Sequence, residues 1–253
     1  MVNPPDSVSA SQWQCEVARR ERWTRSLRSN LYRRVNLWAR NRVLDVGCGD
    51  GVITAEVASR CRGRVTGTDR SWLALERARR RGISVVGGDA QALPFVDGAF
   101  DLVLCHMTLL WANEPGIAVL EMTRVTAPNG VVMAMGEPDY GGRIDYPEDI
   151  TLGPIMSRTL QQEGAHPRVG RQLKELFVNA GLAVEVGVLC SAWNDDRLRS
   201  ELQAEWELLE ATAEDLVAPG ELEDLKRRDL RALDEGVRVA VVPVFWAVGK
   251  KGA

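Results

Sequence analysis

The run Val43-Leu44-Asp45-Val46-Gly47-Cys48-Gly49-Asp50-Gly51 joins a short apolar strand to a segment of helical spacing. Glycines at such a junction let the backbone turn sharply and let a ligand approach closely beside a helix N-terminus. A dinucleotide fold would place G-x-G-x-x-G here and rest a pyrophosphate on the helix dipole. This chain has Gly47-x-Gly49-x-Gly51 instead, with Asp45 before it and Asp50 within it. Carboxylates in those positions repel a pyrophosphate and suit a ligand bearing an ammonium or sulfonium charge. Asp69 and Asp89 close two further strand-like runs, and each alone also reads as a helix N-cap or turn residue. His106, directly after the run Phe100–Cys105, is a candidate general base, with packing beside a ligand or capping the strand as the plainer reading. The glycine-rich stretch 136–147 offers Glu137, Asp139, Tyr140, Arg143 and Tyr146 as a grip for a polar molecule. Glu137 and Asp139 read equally well as fixing that loop by turn hydrogen bonds. Cys105 reads as a buried filler, and His166 as a loop residue.

The elements that must position these residues alternate. Strand-like runs at Val43–Val46, Val65–Asp69, Val85–Val86, Phe100–Cys105 and Val131–Met135 are separated by helical patterns such as Val52–Ser59 and Ser71–Arg81, the latter stopped by Gly82. That alternation predicts a parallel, doubly wound α/β sheet. After Gly136 the rhythm breaks into helical stripes, with a sixth strand at Leu182–Leu189 and a seventh at Val244–Val248 beyond Pro243. The leucine and tryptophan stripe Leu198, Leu202, Trp206, Leu209 predicts a helix with one buried face, leaving Glu201, Glu205 and Asp215 to water. Residues 12–39 carry helical spacing among arginines, read as a solvated face, and Trp13, Trp23, Trp38, Trp193 and Trp206 read as core.

Asp45-Val46-Gly47-Cys48-Gly49-Asp50-Gly51 resembles the first signature of class I S-adenosylmethionine (SAM)-dependent methyltransferases, in particular the type 11 branch. The resemblance continues in order through Asp69, the stretch Gly88–Phe95, the strand Phe100–Cys105 and the approach Glu121–Gly130, where Asn129 replaces the commoner glycine. It covers roughly residues 41–140 and implies a Rossmann-like, mostly parallel seven-stranded sheet. It further implies SAM as cofactor, S-adenosylhomocysteine as product, and a cofactor site at Asp45, Gly47, Cys48, Gly49, Asp69, Arg70, Asp89, Ala90 and Cys105. In that family the carboxylate after the second strand binds the ribose hydroxyls, and the one in the Gly88-Asp89 loop meets the adenine amino group. His106, Glu137 and Tyr140 are then the candidate catalytic residues. The expected organisation is an N-terminal helical cap over 1–40 and a methyltransferase domain over 41–253. Segments 143–170 and 195–235 are helical insertions that fold, with the cap, as a lid over the pocket.

With 253 residues, a net charge of −3 and scattered cysteines, the chain shows no disulfide framework and no metal-ligand spacing. No apolar run reaches membrane-helix length, and a cytoplasmic location is expected. The expected partner is a small-molecule methyl acceptor with an O, N or C nucleophile. Nucleic acid is not expected, and the oligomeric state stays open, a homodimer included. The alternatives are an RNA methyltransferase using the arginine-rich N-terminal helices, a non-catalytic SAM-binding regulator, and, more distantly, a nicotinamide-dependent oxidoreductase.

Overall fold

The computed structural model describes residues 22–190 and 195–253. Five strands run parallel: β1 (Arg42–Val46), β2 (Arg64–Asp69), β3 (Ser84–Gly87), β4 (Phe100–Cys105) and β5 (Thr126–Pro138). Their apolar runs have the composition of strands covered by helices on both faces. Helix α1 (Arg25–Arg34) precedes β1, while α2 (Val52–Ala58), α3 (Trp72–Arg80) and α4 (Pro115–Val125) are the crossovers. With β7 (Ala183–Leu189) and β9 (Val244–Lys250) the sheet has the order β3-β2-β1-β4-β5-β9-β7, and β9 is antiparallel to both neighbours. The expected seven-stranded, mostly parallel α/β sheet is therefore present. Strand order reverses at β1, between β2 and β4, so the carboxyl ends of β1 and β4 open a crevice.

The final apolar run divides at Pro243, as a residue without an N–H donor dictates. Its first part forms β8 (Val239–Val241), which leaves the main sheet and pairs antiparallel with β6 (Ile144–Tyr146). This two-stranded ribbon lies partly in segment 143–170, where only helix was expected; α5 (Leu152–Gln162) supplies that helix. The chain then continues through α6 (Val169–Asn179), ended by Gly181 at φ 77°, where a residue without Cβ fits best. The insertion forms α7 (Asp195–Thr212) and α8 (Glu221–Asp234).

Leu198, Leu202, Trp206 and Leu209 are buried as the stripe requires. Glu201 and Glu205, expected in water, are buried instead. Each has an arginine to meet it: Arg197 one turn back for Glu201, and Arg143 from beside β6 for Glu205. Among the described residues, α7 packs on α8 and α5, and α1 packs on β5. Trp23 and Trp206 are core, but Trp38 is 60% exposed with the Arg62 guanidinium over its ring. Trp13 and Trp193 lie outside the described residues. Nor is the arginine cluster uniformly solvated. Arg28 is buried, bonding Thr24 and the Glu56 carboxylate of α2.

Candidate ligand cleft and its surroundings

A cleft opens at the carboxyl ends of β1 to β4, lined by Gly47, Asp69, Arg70, Gly88, Asp89, Ala90, Gln91, Thr108, Trp111, Ala112 and Asn113. Gly47, Asp69, Arg70, Asp89 and Ala90 are thus brought together as the sequence predicted. Gly47 holds φ 71°, and a Cβ there would collide with the Thr108 side chain. Only glycine fits both the turn and its neighbour.

Four of this turn's donors are already spent. The N–H groups of Gly47 and Cys48 both donate to Thr68 O, at 2.8 and 3.0 Å. Gly51 N donates to Cys48 O, and Gly49 N donates to the Asp69 carboxylate at 2.9 Å. The other Asp69 oxygen accepts from Ser71 N at 2.9 Å, fixing the start of α3, where Ser71 caps Ala74. Asp69 is 2% exposed, while Asp89 is half-buried and accepts from Gln91 N. A carboxylate oxygen carries two lone pairs and can accept from a ligand beside a backbone N–H.

Three residues expected in the site stand behind its wall. Asp45 is buried and accepts from the Thr54 hydroxyl of α2 at 2.7 Å. Cys48 lies against Gly67 under the turn, its thiol pushed up by burial and then by the charges of Asp45 and Asp69. Cys105 is buried in β4, and burial likewise pushes its thiol up, well outside the range of a thiolate nucleophile.

Residues 44–134 match the protein-family model described as a methyltransferase domain. Over residues 44–134 the chain carries a methyltransferase-type domain. A 37.1 kDa protein in transposon Tn4556 of Streptomyces fradiae is 33% identical over 218 residues, 82% of this chain and 61% of that protein. The malonyl-[acyl-carrier protein] O-methyltransferase of Legionella pneumophila is 33% identical over 140 residues, 52% of this chain and 49% of that enzyme. Phosphoethanolamine N-methyltransferase 2 of Haemonchus contortus, solved in complex with S-adenosyl-L-methionine, shares the fold with a TM-score of 0.61 and 18% identity. That likeness covers 90% of this chain and 52% of the other. The chain spans about half to three-fifths of the length of these curated relatives.

The three candidate catalytic residues are not gathered at the cleft. His106 Nε2 lies 2.7 Å from Thr24 Oγ1 on α1, and that oxygen also accepts from Arg28 at 2.6 Å. Burial, and secondarily the Arg28 charge, pushes the imidazole down to about 3. It is a neutral ring at any working pH. Glu137 is fully buried in β5, and its carboxylate accepts three backbone N–H groups from residues 108–110. Tyr140 is 1% exposed, with its N–H donating to Pro167 O at 2.8 Å. Next to it Asp139 forms a two-point ion pair with Arg171 of α6.

Sequence reasoning missed Gly88, Gln91, Thr108, Trp111, Ala112 and Asn113 as lining residues. It also missed the part played by His166. The His166 N–H donates to Leu110 O at 2.7 Å, and its Nε2 lies 3.1 Å from Asn113 O, bracing the far wall of the cleft from outside. Among the described residues no cluster of three or more His, Cys, Asp or Glu is arranged to hold a metal, and no helix is long and apolar enough to cross a membrane.

Proposed function

We propose that this chain transfers the methyl group of S-adenosyl-L-methionine to a small-molecule acceptor, releasing S-adenosylhomocysteine. The observation that carries this reading is the polarity of the cleft. The N–H groups of Gly47, Cys48, Gly49 and Gly51 are spent internally, while Asp69 and Asp89 both line the cleft. A pyrophosphate would meet carboxylates and no free amide from Gly47, Cys48, Gly49 or Gly51. A nucleoside offering hydroxyls, an amino group and a positive charge meets the Asp69 and Asp89 carboxylates.

In this reading Asp69 takes the ribose hydroxyls and Asp89 the adenine amino group, while Gly47, Arg70 and Ala90 shape the walls. The cofactor supplies an activated methyl group; the protein aligns the acceptor with it and excludes water. Proton transfer is not assigned to His106, because a ring pushed to about 3 is too weak a base near neutral pH. The acceptor's class is a small molecule with an O, N or C nucleophile. The named relatives include an O- and an N-methyltransferase, and the family match ends at residue 134, before Glu137 and Tyr140.

Calorimetric titration tests the cofactor assignment: S-adenosylhomocysteine is expected to bind and NAD to give no heat. Tight NAD binding without a response to S-adenosylhomocysteine would replace this reading with an oxidoreductase. The lid reading predicts that S-adenosylhomocysteine raises hydrogen-exchange protection in residues 12–39 and 195–235 as well as around the glycine turn. Protection confined to residues 45–95 would make those segments passive scaffold.

A further inference from the structure

The far wall of the cleft hangs on one carboxylate that lines no part of it. Thr108, Trp111, Ala112 and Asn113 belong to a single bend after β4, built on a 3-10 turn over Leu109–Trp111. Such a turn begins with orphan N–H groups, and the Thr108 side chain does not cap it. Glu137 does. Its Oε1 accepts from Thr108 N at 2.9 Å and Leu109 N at 3.1 Å, and its Oε2 accepts from Leu110 N at 3.0 Å.

The bend is otherwise unfavourable, since Met107 holds φ 51°, a left-handed conformation uncommon for a residue with a Cβ. The Thr108 hydroxyl donates to Val46 O at 3.1 Å, and its side chain fills the space over Gly47. One buried group therefore fixes both the far wall and the contact between that wall and the glycine turn.

We infer that Glu137 is a positioning residue for the cleft: its ionised carboxylate holds the 108–113 wall in the form that accepts a nucleoside ligand, and protonation releases that wall. The inference rests on the cofactor reading above. The three N–H groups bond a charged acceptor, and a proton on Oε2 turns these charge-assisted bonds into neutral ones about half as strong, so the hold on the wall loosens. Burial raises Glu137 to about 7 against the opposing effect of those bonds.

The titratable and charged groups around it behave differently. From β4, Cys105 Sγ lies 3.9 Å away and stays a thiol, and His106 stays neutral. Asp45 of β1 bonds Thr54, Asp139 of β5 is paired with Arg171 of α6, and Arg28 of α1 is paired with Glu56. Phe245, its partner on β9, carries no charge.

The test is the dissociation constant of S-adenosylhomocysteine at pH 6, 7 and 8 for the wild type and for Glu137→Gln, with the folded content of each checked by circular dichroism. If only the ionised form binds, the wild-type constant rises about tenfold from pH 8 to pH 6. Glu137→Gln, a neutral isostere, should show no pH slope and bind at least as weakly as the wild type at pH 6. A flat wild-type profile overturns the inference without needing any variant, as does a pH slope that survives in Glu137→Gln. Failure of the wild type to bind S-adenosylhomocysteine at every pH would instead overturn the cofactor reading, and this inference with it.

Discussion

Asp69→Ala is expected to weaken S-adenosylhomocysteine binding by roughly 1.5–3 kcal/mol, a loss of about ten- to a hundredfold. The carboxylate stands at the carboxyl end of β2 with both oxygens anchored by backbone N–H groups of Gly49 and Ser71. Those bonds fix its direction, so ligand hydroxyls meet a preformed acceptor and little order has to be gained on binding. Removing it also leaves two sheltered N–H groups without their acceptor, which costs stability on its own account. Asp69→Asn separates the two effects, because it keeps an acceptor oxygen for the turn and loses the charge. If both variants lower the melting temperature yet bind S-adenosylhomocysteine like the wild type, Asp69 only holds its turn and the ribose role is lost.

The near half of the cleft was legible because its residues follow the ends of successive strands. Parallel strands covered on both faces announce themselves as apolar runs, and the crevice must lie just past their carboxyl ends. Gly47, Asp69, Arg70, Asp89 and Ala90 all sit at such ends. The far wall could not be read this way. Thr108 is held by Glu137, 29 residues later, and Leu110 and Asn113 are braced by His166, a residue with no local pattern around it. Glu137 itself carried two readings, a grip for a polar molecule and a turn bond within 136–147, and its three N–H partners lie instead in the distant 108–110 bend. Helical periodicity put Glu201 and Glu205 in water because charge normally marks the solvated face. Periodicity within one helix is blind to an arginine arriving from β6. The break at Pro243 was visible, but the pairing of β8 with β6 joins segments about a hundred residues apart, beyond the reach of any local signal.

That pairing leads to the largest stability effect expected in the molecule: Asp229→Ala should cost about 3–5 kcal/mol in denaturant unfolding, the usual result of stripping one partner from a buried ion pair. Asp229 is fully buried in α8, where it accepts from Arg238 Nε, just before β8, and from Trp206 Nε1 of α7 at 2.7 Å. Arg238 also reaches Asp145 of β6 at 2.6 Å, Asp145 pairs with Arg143 at 2.9 Å, and Arg143 continues to Glu205 of α7 at 2.7 Å. Two arginines and three carboxylates, each side chain no more than 7% exposed, thus tie the ribbon to both insertion helices. Desolvating five charged groups is expensive, and only their mutual pairing compensates for it, so losing Asp229 leaves the Arg238 charge underneutralised in a poorly solvated place. Trp206→Phe supplies the contrast. It removes one hydrogen bond to the same carboxylate and part of the buried ring, and should cost about 1–3 kcal/mol. The Asp229→Ala penalty should also change little between low and high salt, since buried pairs are weakly screened. A cost below about 1 kcal/mol, or one that disappears in salt, would mean that water reaches these charges. The insertion would then be a loosely attached flap instead of a clamped part of the domain.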